Sequence, residues 1–172
     1  MKIPGNFGKV LEGVFRGAWP TPENLNELRE RGIRTVVTLY SQAGDEPEKA
    51  EELGSQILRA GMFPLALEIS DRVSLLEAAV RVLTLERDVY LHCLGGANRA
   101  GLVSLLVQIF FARGNGRKVG EQELAEMLAQ AAAHGFDFDK PYSQIMESLL
   151  RDLSRQGVIS RKEDSHVFPN YE

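Results

Sequence analysis

The octapeptide His92-Cys93-Leu94-Gly95-Gly96-Ala97-Asn98-Arg99 sets a thiol and a guanidinium either side of five small or uncharged residues. Cysteine attacks as the thiolate, so it needs positive surroundings. A short loop between a strand end and a helix start can supply them, because its backbone N–H groups can all curl inward. Gly95 and Gly96 permit the positive φ angles and close backbone approach such a curl needs. The positive end of the helix that begins at Arg99 adds to the same field. The resulting cradle, lined by Leu94, Gly95, Gly96, Ala97 and Asn98, fits a phosphate dianion. Cys93 at its base is then placed for in-line attack on phosphorus. Arg99 can grip two oxygens with its planar fork, and the grip tightens as charge spreads in the transition state. His92 is expected to hydrogen-bond to the loop backbone and hold its shape. A lone cysteine is more often a small buried hydrophobe. Against that, H-C-x-x-G-x-x-R arises by chance in only about one in several thousand chains of this length.

The flanking residues read as the elements such a loop requires. Val89 to His92 is a short apolar strand, and Arg99 to Arg113 is a strongly apolar helix expected to be covered on most sides. Upstream, Val14 to Ala18 is strand-like and ends at Trp19-Pro20. Thr21 caps a helix with Pro22 at its first position, and Gly32 stops it. Ile33 to Tyr40 and Met62 to Ile69 read as buried strands. Helices are expected over Asp45 to Gly61, Ser74 to Arg87, Glu121 to His134 and Pro141 to Gln156. Alternating strands and helices predict an α/β fold with a mainly parallel central sheet of about four to five strands, flanked by helices. In such sheets sites form at the carboxyl ends of strands, which is where Cys93 falls.

Composition narrows the partners. The chain has 172 residues, 44% hydrophobic and 26% charged, which suits one domain with a real core. We read residues 1–172 as a single domain, with its core at about 10–157 and a polar, loosely held tail over 158–172. The net charge of −4 argues against nucleic acid and anionic membrane surfaces. No run of about 18 apolar residues exists to span a membrane, and the first residues lack a secretory apolar core. The single cysteine forms no internal disulfide and suits a reducing cytoplasm. His92, His134 and His166 lack paired ligand spacing, so no metal and no cofactor is expected. A monomer is expected.

The octapeptide resembles the signature of the protein-tyrosine and dual-specificity phosphatase superfamily, H-C-x5-R between a strand and a helix. The resemblance extends upstream through Phe15-Arg16-Gly17-Ala18-Trp19-Pro20 and Gly32-Ile33-Arg34-Thr35-Val36, which are similar to the opening of small bacterial and atypical dual-specificity members. It covers roughly residues 10 to 150. It implies a phosphocysteine intermediate formed on Cys93 and the same fold. It also implies a substrate that is a phosphorylated protein or a small phosphomonoester. An aspartate general acid is implied on a loop after the strand that precedes the motif, where Asp71 fits better than Glu68. The Asp71 to Cys93 interval is shorter than is usual in the family, and a second acidic pair, Asp137 and Asp139, lies on another loop. Arg16 would either brace the site or form a salt bridge. Ala100 departs from the pattern, because the family carries Ser or Thr there to stabilise the departing thiolate. The reading as phosphatase is weighed against a pseudophosphatase that binds phosphorylated partners, and against a rhodanese-type sulfurtransferase.

Overall fold

The computed structural model of the chain describes residues 3–40, 47–85, 88–137 and 141–161. Their elements run β1 (Gly8–Leu11), β2 (Val14–Gly17), α1 (Pro22–Glu30), β3 (Thr35–Tyr40), α2 (Pro47–Arg59), β4 (Phe63–Glu68), α3 (Arg72–Thr84), β5 (Val89–His92), α4 (Asn98–Gly114), α5 (Glu121–Ala133) and α6 (Pro141–Arg155). The strands form one sheet in the order β1-β2-β5-β3-β4, with β1 antiparallel to β2 and the remaining neighbours parallel. The expected α/β architecture with a mainly parallel sheet is therefore present.

Side-chain alternation along β5 shows how the layers attach. Val89, Leu91 and the following Cys93 face a core shared with α3, α4, α5 and α6, whereas Tyr90 faces a second core formed with α1 and α2. All four β5 residues are buried, because both neighbours and both faces of this central strand are covered. Helix α4 carries ten buried residues, from Ala100 to Ala112, and touches α3, α5 and α6 as well as the sheet. It is the covered central helix that its composition predicts. The loop joining β5 to α4 thus hangs between the two best-anchored elements of the chain.

Some boundaries differ from expectation. Strand β1 was not anticipated; it pairs with β2 through a two-residue turn, Glu12-Gly13, with Gly13 at φ 73°. Strand β4 is an edge rather than a buried strand, and Phe63 on it is 59% exposed. The chain packs beyond residue 157. Ile159 is buried and bridges Val119, the Ser160 amide donates to Val119 O (2.8 Å), and Arg161 reaches Glu147 (2.7 Å). Asp45, Glu46, Arg87, Asp139, His166 and the tail beyond Arg161 lie outside the described residues. No helix among the described residues is long and apolar enough to cross a membrane.

Helix α3 begins earlier than its apolar pattern suggests, because Asp71 caps it. The Asp71 carboxylate accepts from the Ser74 amide (2.8 Å), and Ser74 Oγ accepts from the Asp71 amide (2.9 Å), closing a capping box. These donors, the Ser74 amide first, hold the Asp71 carboxyl below its ordinary value. A carboxyl lowered in the folded state adds stability above the ordinary aspartate range of about 4, and that share is lost as pH falls through the lower folded value. Asp71→Ala is therefore expected to lower the melting temperature at neutral pH, with the gap to wild type narrowing below about pH 4. Thermal melts across that range check this, and a gap that stays constant on acidification would contradict it.

Candidate active site

The shape of the β5–α4 loop is set from outside by what its carbonyl groups meet. Leu94 O accepts from the Trp19 amide (3.0 Å), and Gly95 O accepts from Asn6 Nδ2 (2.8 Å). Gly96 O and Ala97 O both accept from Arg16 Nη2, at 2.5 and 3.2 Å, and Ala97 O also takes the Gly101 amide of α4 (2.8 Å). Four consecutive carbonyls are thus drawn to donors outside the loop. A trans peptide points its N–H opposite to its C=O. The amides of Gly95, Gly96, Ala97 and Asn98 must then point away from those donors, toward one another, as a nest for an anion does.

Helix α4 completes this arrangement. Its N-cap is Ala97, which offers no side-chain oxygen to the first-turn amides. Helices α1 and α3 satisfy theirs with the capping boxes of Thr21 and Asp71. The α4 end keeps its partial positive charge for whatever sits in the loop. Arg99 is half-buried in that first turn, while Cys93 at the end of β5 is buried (4% exposed) and a free thiol. Cys93 and Arg99 therefore stand at the two ends of the same loop.

Arg16 resolves in favour of the brace. On β2, it lies 4% exposed with its guanidinium turned to the loop carbonyls. Burial pushes its guanidinium down from its usual range, and the nearby charges of Cys93 and Tyr90 oppose that shift. The buried cation is held by the loop's carbonyl dipoles. His92 is anchored elsewhere than expected. Its Nε2 lies 3.0 Å from Thr38 Oγ1 on β3, and its ring stacks on Tyr90 (5.8 Å) and meets Trp19 edge-on (5.3 Å). As an even-numbered residue of β5 it shares the Tyr90 face, opposite Cys93, and its contacts with Thr38, Tyr90 and Trp19 steady the strand. Trp19 serves as packing and through its backbone amide.

The two glycines differ. Gly96 sits at φ 69°, and a Cβ there would lie 2.3 Å from Gly17 C and 2.4 Å from the Ala18 amide. Gly95 needs no positive φ, and a Cβ there would meet open space. Only Gly96 is required by conformation. Gly17, against which it packs, is itself closed to a side chain by the Tyr90 hydroxyl, which donates to Ala18 O (2.6 Å). Burial first, then the neighbouring Cys93 charge, push the Tyr90 hydroxyl far above its usual value, so it remains a donor.

Asp71 stands at the start of α3 with its carboxylate accepting the Ser74 amide, a contact that favours the ionised form. Asp137, by contrast, stands against the loop, because its amide donates to Asn98 Oδ1 (2.9 Å). Sequence reasoning did not reach Asn6, Thr38 or Tyr90. Only the Gly5-Asn6 turn dipeptide marks the first of them, and nothing local marks the others. Among the described residues no group of three His, Cys, Asp or Glu stands close enough to hold a metal ion.

No family model matches the chain. It is 29% identical over 105 residues to an inositol diphosphatase, DSP4, of Arabidopsis thaliana, a match covering 57% of this chain and 52% of that protein. The chain spans about half the length of that curated relative. Among solved structures, the core catalytic domain of the PP-IP phosphatase SIW14 from S. cerevisiae superposes with a TM-score of 0.62 at 18% identity, covering 91% of this chain and 96% of that one. A putative phosphatase from Shewanella putrefaciens gives a TM-score of 0.61 at 14% identity over 90% and 92%. TpbA of P. aeruginosa gives 0.58 at 21% identity over 83% and 84%. The fold is the protein-tyrosine-phosphatase fold. Within it, the chain resembles the atypical dual-specificity branch.

Gly96→Ala is expected to destabilise the protein by at least about 2 kcal/mol, from left-handed strain plus overlap with β2, and to abolish vanadate binding. Gly95→Ala should keep the wild-type melting temperature. Denaturant titration and vanadate calorimetry of both variants distinguish them, and equal effects would refute the outward-anchored loop.

Proposed function

We propose that this protein hydrolyses phosphate monoesters through a phosphocysteine intermediate. The observation that carries this reading is the set of four loop carbonyls drawn outward around buried Cys93, leaving the amides to face an anion. Cys93 attacks phosphorus, and Arg99 with the amides of Leu94, Gly95, Gly96, Ala97 and Asn98 holds the oxygens as charge spreads. A carboxylic acid gives the leaving oxygen its proton, and the family resemblance assigns that part to Asp71. Water then breaks the sulfur–phosphorus bond and releases inorganic phosphate. Arg16 keeps the loop in shape from behind, and His92 keeps β5 in place.

The substrate class follows from charge. The interior of the loop, Leu94 to Asn98, holds no Lys or Arg. Leu94 is 65% exposed and gives the loop an apolar rim. Arg16 is buried and committed to carbonyls. One phosphate on an uncharged or aromatic carrier suits this site better than a crowded polyanion. A phosphorylated protein side chain or a small phosphomonoester meets that description. The Arabidopsis relative is named for inositol diphosphates, and a basic loop would serve that substrate better.

Ala100 favours a second reading, a phospho-binding pseudophosphatase. It is fully buried directly after Arg99, so no hydroxyl stands at that place to ease thiolate departure. The protein is expected to hydrolyse an aryl phosphate at mildly acidic pH with EDTA present, and Cys93→Ser to be inactive. Ala100→Ser is expected to raise steady-state turnover. Wild-type inactivity combined with Arg99-dependent vanadate binding would select the pseudoenzyme instead.

A further inference from the structure

We propose that Ser104, on α4, is a positioning residue of the phosphate site: its hydroxyl and Arg16 Nε hold one water between them, and that water clamps the guanidinium which draws the loop carbonyls outward. The role at the site rests on the phosphatase reading above, whereas the water site does not.

Ser104 is the one hydroxyl in the apolar run Leu102-Val103-Ser104-Leu105-Leu106-Val107. It is buried (3% exposed), as is Arg16 (4%). Taking a hydroxyl or a charged N–H out of water is costly unless a partner replaces the water lost. Among the described residues, neither Ser104 Oγ nor Arg16 Nε has a hydrogen-bond partner. Both residues line one narrow cavity between β1, β2, α4 and α5. Its volume is ≈ 10 Å³, room for about one water and too little for a phosphate or an organic ligand. Other polar groups on its wall are already engaged. Gln108 Nε2 donates to Ser104 O (3.3 Å), His134 Nδ1 lies 2.7 Å from Gln130 O, and Lys9 pairs with Glu12. A water that accepts from Arg16 Nε and bonds to Ser104 Oγ satisfies both buried groups.

The placement of the guanidinium gives this water its consequence. A Cβ on Gly101 would lie 3.7 Å from both Nη1 and Nη2, so the fork lies against α4 at Gly101. Ser104 is three residues on, on the same helix face and one turn farther from the loop. Nη2 is spent on Gly96 O and Ala97 O. A planar fork fixed at Nη2 alone can swivel about that end. Fixed at Nη2 and Nε it cannot, so it keeps both carbonyls within reach. Losing either carbonyl frees that peptide to turn, and the amide of the following residue then leaves the anion nest.

The test is vanadate calorimetry and thermal melts of wild type, Ser104→Val, Ser104→Thr, Arg16→Lys and the Arg16→Lys/Ser104→Val double variant, with a high-resolution crystal structure of wild type. Valine and threonine have the same shape, and only threonine keeps the hydroxyl. Ser104→Val should weaken vanadate binding about tenfold, the effect of leaving one buried donor unsatisfied. Ser104→Thr should bind as wild type does. In the Arg16→Lys background, which lacks Nε, Ser104→Val should cost nothing further. The crystal structure should show one ordered water bonded to Arg16 Nε and Ser104 Oγ. Should Arg16→Lys fail to fold, the threonine–valine contrast and the crystallographic water decide alone. Equal losses for threonine and valine, wild-type affinity in Ser104→Val whatever its melting temperature, or no water between the two atoms would overturn the proposal and leave the phosphatase reading intact. Wild type that binds no vanadate would overturn both.

Discussion

Everything at the site depends on donors that pull the loop carbonyls outward. A peptide loop has no inherent reason to turn four N–H groups to one point, since their dipoles repel there. Here the opposite faces of those peptides are satisfied by Arg16, Asn6 and the Trp19 amide, with α4 taking one carbonyl further. Each such bond is worth only about 1 kcal/mol net, more where the donor is charged. Their joint effect is to make the amide-inward state the ground state before any anion arrives, which is what preorganisation requires.

That constraint reaches into the fold through β2. Arg16 and Gly17 are adjacent on it, and β2 pairs in parallel with β5, matching Arg16 to Leu91 and Gly17 to His92. The strand that supplies the brace is therefore hydrogen-bonded to the strand that leads into Cys93. Gly96 closes on Gly17, and Tyr90 closes on Gly17 from the other side. The two glycines exist because three backbone segments meet with no volume left for a side chain. The Phe-Arg-Gly-Ala-Trp segment is thus part of the site rather than a lead-in to it.

The α5–α6 turn adds a layer that lies outside the sheet. It touches the loop at Ala97 and Asn98 and α4 at Gly101. Asp71, after β4, caps α3.

By itself the sequence determined the parts whose signals are local. The six helices carry their own periodicity and stop residues, and the inner strands carry β-branched apolar runs. The H-C-x5-R spacing marked Cys93, Arg99 and the loop between them, since all lie within one stretch of chain. Strand β1 was missed because Gly8-Lys9-Val10-Leu11 is too short and mixed to show a period, although the Glu12-Gly13 pair behind it is a hairpin signal. Only the tertiary structure decided which residues surround the loop. Asn6 and Arg16 meet it from about eighty to ninety positions away, and Thr38 meets His92 from 54. It also separated Gly96 from Gly95, and it put the Asp137 turn beside Asn98. Such contacts are set by how layers pack, and a side chain's own neighbours along the chain carry no record of what will be folded against it.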